Sequence, residues 1–164
     1  MKRFLTHFSN KERSKIYHAK NKIKDKSGND IPKTYTERQK IILRYYKKLK
    51  AIDNVFCPAL DDYVTFKTKG QEETVRHAAK SIKSTKAALN LKEIIENATY
   101  IKRVRKKPYS KNQQCFKWMH ILVCPVKNIG YAKLEIGEFF DIGDDISIYT
   151  HYCVTHVSVK AIKA

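Results

Sequence analysis

The sequence predicts an α+β fold: N-terminal basic helices, then one or two helices packed on a four-stranded antiparallel sheet. Three observations carry this expectation. Apolar residues recur at helical spacing before Thr99, and β-rich runs split by turns follow it. The late runs are joined by short links, which implies an antiparallel meander. The charge is uneven: residues 1–50 hold 16 basic and 4 acidic side chains, residues 51–100 hold 7 of each, and residues 101–164 hold 11 and 5. The 164 residues suit one ordinary domain with an extension. The expected division is a basic helical extension over 1–52 and an α+β domain over 53–164.

Each element has its own signal. Ser9 precedes Glu12 at capping-box spacing, and Ile16, Ala19 and Ile23 form a thin apolar stripe on a helix reaching about Lys26. Ser27 to Pro32, with Gly28, Asn29 and Asp30, is a loop. Thr34 and Glu37 repeat the capping box before a helix over about 37–51, whose apolar face holds Ile41, Ile42, Tyr45, Tyr46 and Leu49. Cys57 to Asp62 reads as a connection, 62–68 as a short strand and 71–85 as a helix. On that helix Val75, Ala78, Ala79 and Ile82 share one face, and His77, Lys80, Ser81 and Ser84 the other. A short helix over 89–98 follows. The strands are TYIKRVRK, CFKWMHILVCPV, YAKLEIGEFF and the run from Ile146 to Ile162, with a tight turn at Asn128 to Gly130. On the second strand, the face carrying His120 is the less apolar and is expected to stay open to a ligand.

The net charge of +18 is far above the magnitude of about 2–8 that suits a small domain. Such an excess repels itself in the folded state, and a polyanion relieves the repulsion. RNA is therefore the expected partner, with transfer RNA and the ribosome as candidates. Cys57, Cys115, Cys124 and Cys153 form no C-x-x-C pair and read as reduced thiols. No secretory leader or stretch of 18 apolar residues is present, so the expected address is the cytoplasm, including that of a cell into which a toxin is delivered, with no membrane contact. Walker A, dinucleotide-binding and G-x-S-x-G motifs are missing, which argues against nucleotide hydrolysis, dinucleotide redox and serine esterase chemistry. Asp141, Asp144 and Asp145, with Glu135 and Glu138 before them, sit in or near a turn without a matching acidic pair and read as loop solvation. No metal and no cofactor is expected.

Two constellations carry chemistry. Lys102, Arg103, Arg105, Lys106 and Lys107, continuing to Lys111, cluster near a strand end and suit phosphates, with Arg103 and Arg105 on one face and Lys102 on the other. Lys117 and Trp118 extend this nucleic-acid surface. The second constellation is histidine-based. Metal-independent RNA cleavage needs a base for the ribose 2′-hydroxyl, an acid for the leaving 5′-oxygen and a cation for the phosphate. His77, beside Lys80, and His120 or His151 on the sheet are the candidates, with Tyr149 and Thr150 able to orient a phosphate. Taken singly, each histidine is an ordinary solvent-facing or core residue.

The stretch from about 62 to 162 resembles the nuclease-like domains of phage and mobile-element polyvalent proteins, within the barnase, EndoU, colicin and RelE superfamily. The likeness lies in the order VTFKTKGQEETVRHAAKS, ENATYI, a basic loop, WMHILVCPV, GYAKLEIGEF and HYCVTHVSV. It implies helices on a four-stranded antiparallel sheet and RNA cleavage without metal, with His77 on the family helix and His120, Tyr149, Thr150 and His151 on its sheet. It further implies a toxin or phage–host conflict setting, in which an immunity or antitoxin protein is a partner. The leading expectation is thus a small metal-independent endoribonuclease. A non-catalytic RNA- or ribosome-binding protein, and a mobile-element inhibitor of a host nucleic-acid enzyme, are the alternatives.

Overall fold

Thr34 starts the first helix of the described residues, α1 (Tyr35–Ile52), by accepting a hydrogen bond from the Glu37 amide at 3.3 Å. Its hydroxyl also donates to the Glu37 carboxylate at 2.8 Å. The structure is a computed structural model that describes residues 23–126 and 130–139, and the backbone of 152–160. Helix α1 ends at Asp53, whose φ of 76° turns the chain out of the helix. Strands β1 (Asn54–Cys57) and β2 (Asp62–Thr65) then form an antiparallel hairpin. Helices α2 (Thr68–Ala78), α3 (Ile82–Ala88) and α4 (Leu91–Asn97) follow. Strands β3 (Thr99–Arg105), β4 (Phe116–Val126), β5 (Gly130–Phe139) and β6 (Tyr152–Lys160) complete the order. A single 3-10 turn, Lys111–Gln113, lies between β3 and β4.

The fold is α+β, and the sheet is larger than a four-stranded meander. Strands β3, β4, β5 and β6 do pair antiparallel in sequence order. The β1–β2 hairpin is added beyond β6 through a parallel β2–β6 pairing, so the six strands run β1-β2-β6-β5-β4-β3. Strand β1 precedes the strand expected over 62–68 and lies in residues to which the sequence reading gives no element, meeting the expected connection only at Cys57.

One face of the sheet meets the helices. Leu122, Cys124 and Val126 of β4 and Ala132, Leu134 and Ile136 of β5 bury against Ile42, Tyr46 and Leu49 of α1 and Leu91, Ile94 and Ile95 of α4. The extension expected over 1–52 therefore ends in a helix that packs in the main core. This corrects the expectation for β4: the face carrying His120 is the one the helices cover from Leu122 onward. Phe116 does not share that face, because a register shift between Phe116 and Trp118 turns its ring onto Gly137 and Met119.

The helix expected over 71–85 is two helices. Ser81 breaks it by taking a β backbone and accepting from the Ser84 amide at 3.0 Å, which caps α3. The carbonyls freed at the break are used. Thr85 Oγ1 donates to the Ala78 carbonyl at 3.1 Å, and buried Arg38 Nε donates to the Ala79 carbonyl at 2.7 Å. Residues 23–26 are not helical: Asp25 caps a turn, its carboxylate accepting from the amides of Ser27 and Asn29 at 2.9 Å, and the backbones of Lys24 and Asp30 form an isolated antiparallel β-bridge. The remainder of the first expected helix, including its capping box, lies outside the described residues.

Candidate functional site

Three side chains form a hydrogen-bonded chain at the β3–β4–β5 end of the sheet. Strand register places Arg103 opposite His120 and Arg105 opposite Trp118 on β4, and Trp118 opposite Glu138 on β5. Alternation then puts Arg103, Arg105, Trp118, His120 and Glu138 on one face. A shift in register between Tyr100 and Lys102 brings Tyr100 to that face as well.

The contacts follow from this placement. His120 Nε2 lies 2.6 Å from Glu138 Oε2, and His120 Nδ1 lies 3.2 Å from the Tyr100 hydroxyl. A carboxylate can only accept, so Nε2 carries a proton, and in the neutral imidazole Nδ1 then accepts from the phenol. His120 is only 6% exposed, whereas Tyr100 is 39% exposed. The phenol is thus the solvent-facing end of a Tyr–His–Glu chain whose middle is buried. Beside it, the Arg103 guanidinium lies 4.3 Å from the centre of the Trp118 ring. The arginine that faces solvent is braced from below by the indole.

The basic residues read from the sequence fall into this neighbourhood. Lys102, Arg103 and Arg105 are exposed on β3, an edge strand, where charge also blocks edge-to-edge pairing. Lys106 is half-buried and donates to the Gln114 carbonyl at 2.9 Å, while Lys107, Lys111 and Lys117 are exposed. Arg103 and Arg105 do share a face, with Lys102 opposite Ile121 on the other.

The second histidine has different partners. His77, in the last turn of α2, lies 3.2 Å from Glu73 Oε2 and 3.3 Å from the Arg76 guanidinium. Burial alone would raise the Glu73 pKa, yet the Arg76 hydrogen bond and the charges of Arg76 and His77 bring it below the ordinary value. Lys80 is exposed in the turn after the helix. Helix α2 packs on β6, whereas His120 lies on β4 with β5 between them. Tyr149, Thr150 and His151 lie outside the described residues.

Two residues of the chain have no site role in the sequence reading, which takes Glu138 for loop solvation. Glu138 is the clearer loss, since a tight turn near 128–130 already pairs Trp118 with Glu138 and sets that carboxylate diagonal to His120. Tyr100 gave no comparable signal, because a register shift brings it there. Cys57 and Cys124 are buried free thiols, and burial pushes the Cys124 pKa up to about 11. Cys115 is a free, exposed thiol. Among the described residues, no group of three or more His, Cys, Asp or Glu side chains is placed to hold a metal ion. No described helix is long and apolar enough to cross a membrane.

No curated protein and no solved structure matches this chain. A family does. Its matched region begins just before α1, takes in the Tyr100–His120–Glu138 chain and runs through residues 33–149, more than half of the sequence. The chain therefore belongs to the family described as large polyvalent protein-associated domain 3.

Proposed function

We propose that this polyvalent-protein-associated domain is a metal-independent endoribonuclease, with Tyr100, His120 and Glu138 as its proton-transfer chain. The observation that carries the reading is the phenol–imidazole–carboxylate order beside the exposed arginines of β3. It has the form of a reacting hydroxyl, a base and a group that orients the base. In the reaction, the Tyr100 oxygen takes the proton of the ribose 2′-hydroxyl as its own proton passes to His120 Nδ1. The imidazolium so formed is held by Glu138 through Nε2. The 2′-oxygen bonds to phosphorus, the bond to the 5′-oxygen breaks, and the leaving oxygen takes a proton from water, whose hydroxide recovers the proton from the imidazolium through Tyr100. Arg103 and Arg105 offset the charge on the phosphate. The products are a 2′,3′-cyclic phosphate and a 5′-hydroxyl end.

The net charge of +18 supports RNA as the substrate, because phosphate contacts release counterions. His77 has no part in this version, since Glu73 and Arg76 are its partners. The test is the initial cleavage rate in EDTA of Tyr100→Phe and His77→Ala beside the unmodified protein. Tyr100→Phe is expected to lose about 100-fold or more with an unchanged melting temperature, and His77→Ala to stay within a few-fold. The reverse order would move the chemistry to α2.

A second reading is favoured by the exposed basic edge strand alone: a domain that binds RNA without cutting it. His120 is then a buried polar link, and both variants bind RNA as the unmodified protein does.

A further inference from the structure

The connection between β3 and β4 holds a tyrosine with no core to enter. Tyr109 is 97% exposed. A side chain of that size costs hydrophobic free energy where it stands, since its ring is left almost wholly in water. An exposed ring on a floppy loop would mean little. This loop is internally braced. Gln114 Nε2 donates to the carbonyls of Pro108 and Ser110, both at 3.0 Å, and so ties down the two residues flanking Tyr109. The Lys107 amide donates to Gln113 Oε1 at 2.8 Å, and the Ser110 amide to the Lys107 carbonyl at 3.1 Å. Pro108 fixes one backbone angle immediately before the ring. Two glutamine side chains and a proline thus hold a loop whose tip is aromatic.

Cations surround the tip in sequence. Lys107 and Lys111, both exposed, stand two residues to either side of Tyr109, and the exposed Arg103 and Arg105 precede them on β3. A braced aromatic ring among lysines has the chemistry of a stacking platform on a phosphate-binding track. Trp118, another aromatic of this region, already has the Arg103 guanidinium against its ring.

We propose that Tyr109 stacks on an unpaired base and that the β3–β4 loop thereby selects single-stranded RNA over duplex. The inference rests on the reading that this domain acts on RNA. In a duplex the bases are stacked on one another, and an A-form helix offers its backbone rather than its ring faces. A single strand or loop can give one base to Tyr109 while its phosphates follow the lysines and arginines toward Tyr100. Tyr100 and Arg105 stand opposite Leu122 and Trp118, four residues apart on β4, which sets them about 14 Å apart, so the stacked base lies to one side of the scissile bond and not at it. Tyr109 is a specificity residue and takes no part in proton transfer.

The test uses the full chain and a 2′-O-methyl RNA oligonucleotide, which cannot be cleaved through its 2′-oxygen. Affinity is measured by fluorescence anisotropy for this strand alone and annealed to its complement, over a range of salt. Tyr109→Ala is expected to weaken single-strand binding about 10-fold, the loss of one stacked base. It is expected to leave duplex binding and the salt slope as they were, and Tyr109→Trp to restore the single-strand affinity. Lys107→Ala is expected to weaken both forms alike and to flatten the salt slope. An equal loss on both forms, or no loss on the single strand, overturns the inference. Absence of binding to either form overturns it together with the RNA reading. Tyr109-dependent binding by a chain that cleaves nothing supports the inference and removes only the nuclease chemistry.

Discussion

Gly137 lies opposite Met119 in the sheet, directly before Glu138. A Cβ built there would stand 2.5 Å from the Phe116 ring, far inside contact distance. The ring covers the glycine because the register shift after Phe116 turns it to that face. Gly137→Ala is therefore expected to destabilise the fold by about 1–3 kcal/mol, read by urea unfolding. In a Phe116→Ala background the same change should cost about 1 kcal/mol less, since the ring it collides with is gone. Equal costs in both backgrounds would show that the collision does not govern this position. A glycine within a strand run marks a close approach, but what it approaches is not legible in the sequence, since strict alternation puts Phe116 with Trp118 and His120.

At the scale of elements, Arg38 joins α1 to the break between α2 and α3. Its guanidinium is buried, donates to the Ala79 carbonyl at 2.7 Å and to the Pro32 carbonyl at 3.1 Å, and also bonds the Lys33 carbonyl. Arg38→Met keeps much of the stem and removes these bonds, leaving the buried Ala79 carbonyl without its donor. A loss of about 2–4 kcal/mol is expected in urea unfolding. No loss would mean that the α1–α2 contact does not depend on this bridge. Helix α1 itself was legible from capping and spacing: Ile42, Tyr46 and Leu49 are buried as its stripe requires. The break at Ser81 was not, for the run holds no glycine or proline, and a serine cap inside a helical pattern gives no periodicity signal. Strand β1 escaped for a related reason: Val55, Phe56 and Cys57 are consecutive apolar residues and show no alternation.

At the scale of the molecule, the antiparallel order of β3 to β6 followed from short links and turn residues. The parallel insertion of β6 beside β2 did not, because it joins segments far apart in sequence and no local pattern records it. The candidate site divides in the same way. His120, Trp118 and the arginines of β3 were legible as chemistry-bearing residues on strands. Tyr100 and Glu138 acquire meaning only through register, which assembles three strands around one imidazole. The basic surface was legible from charge alone, and the fold concentrates part of it on an edge strand and a braced loop. The measurement that bears most directly on the central claim is end analysis of transfer and total RNA after incubation in EDTA with the purified chain and with His120→Ala. Discrete fragments ending in 2′,3′-cyclic phosphate, reduced about 100-fold or more by His120→Ala in a protein that still binds RNA, are the expected result. Intact RNA with both proteins, or equal cleavage by both, would contradict the account.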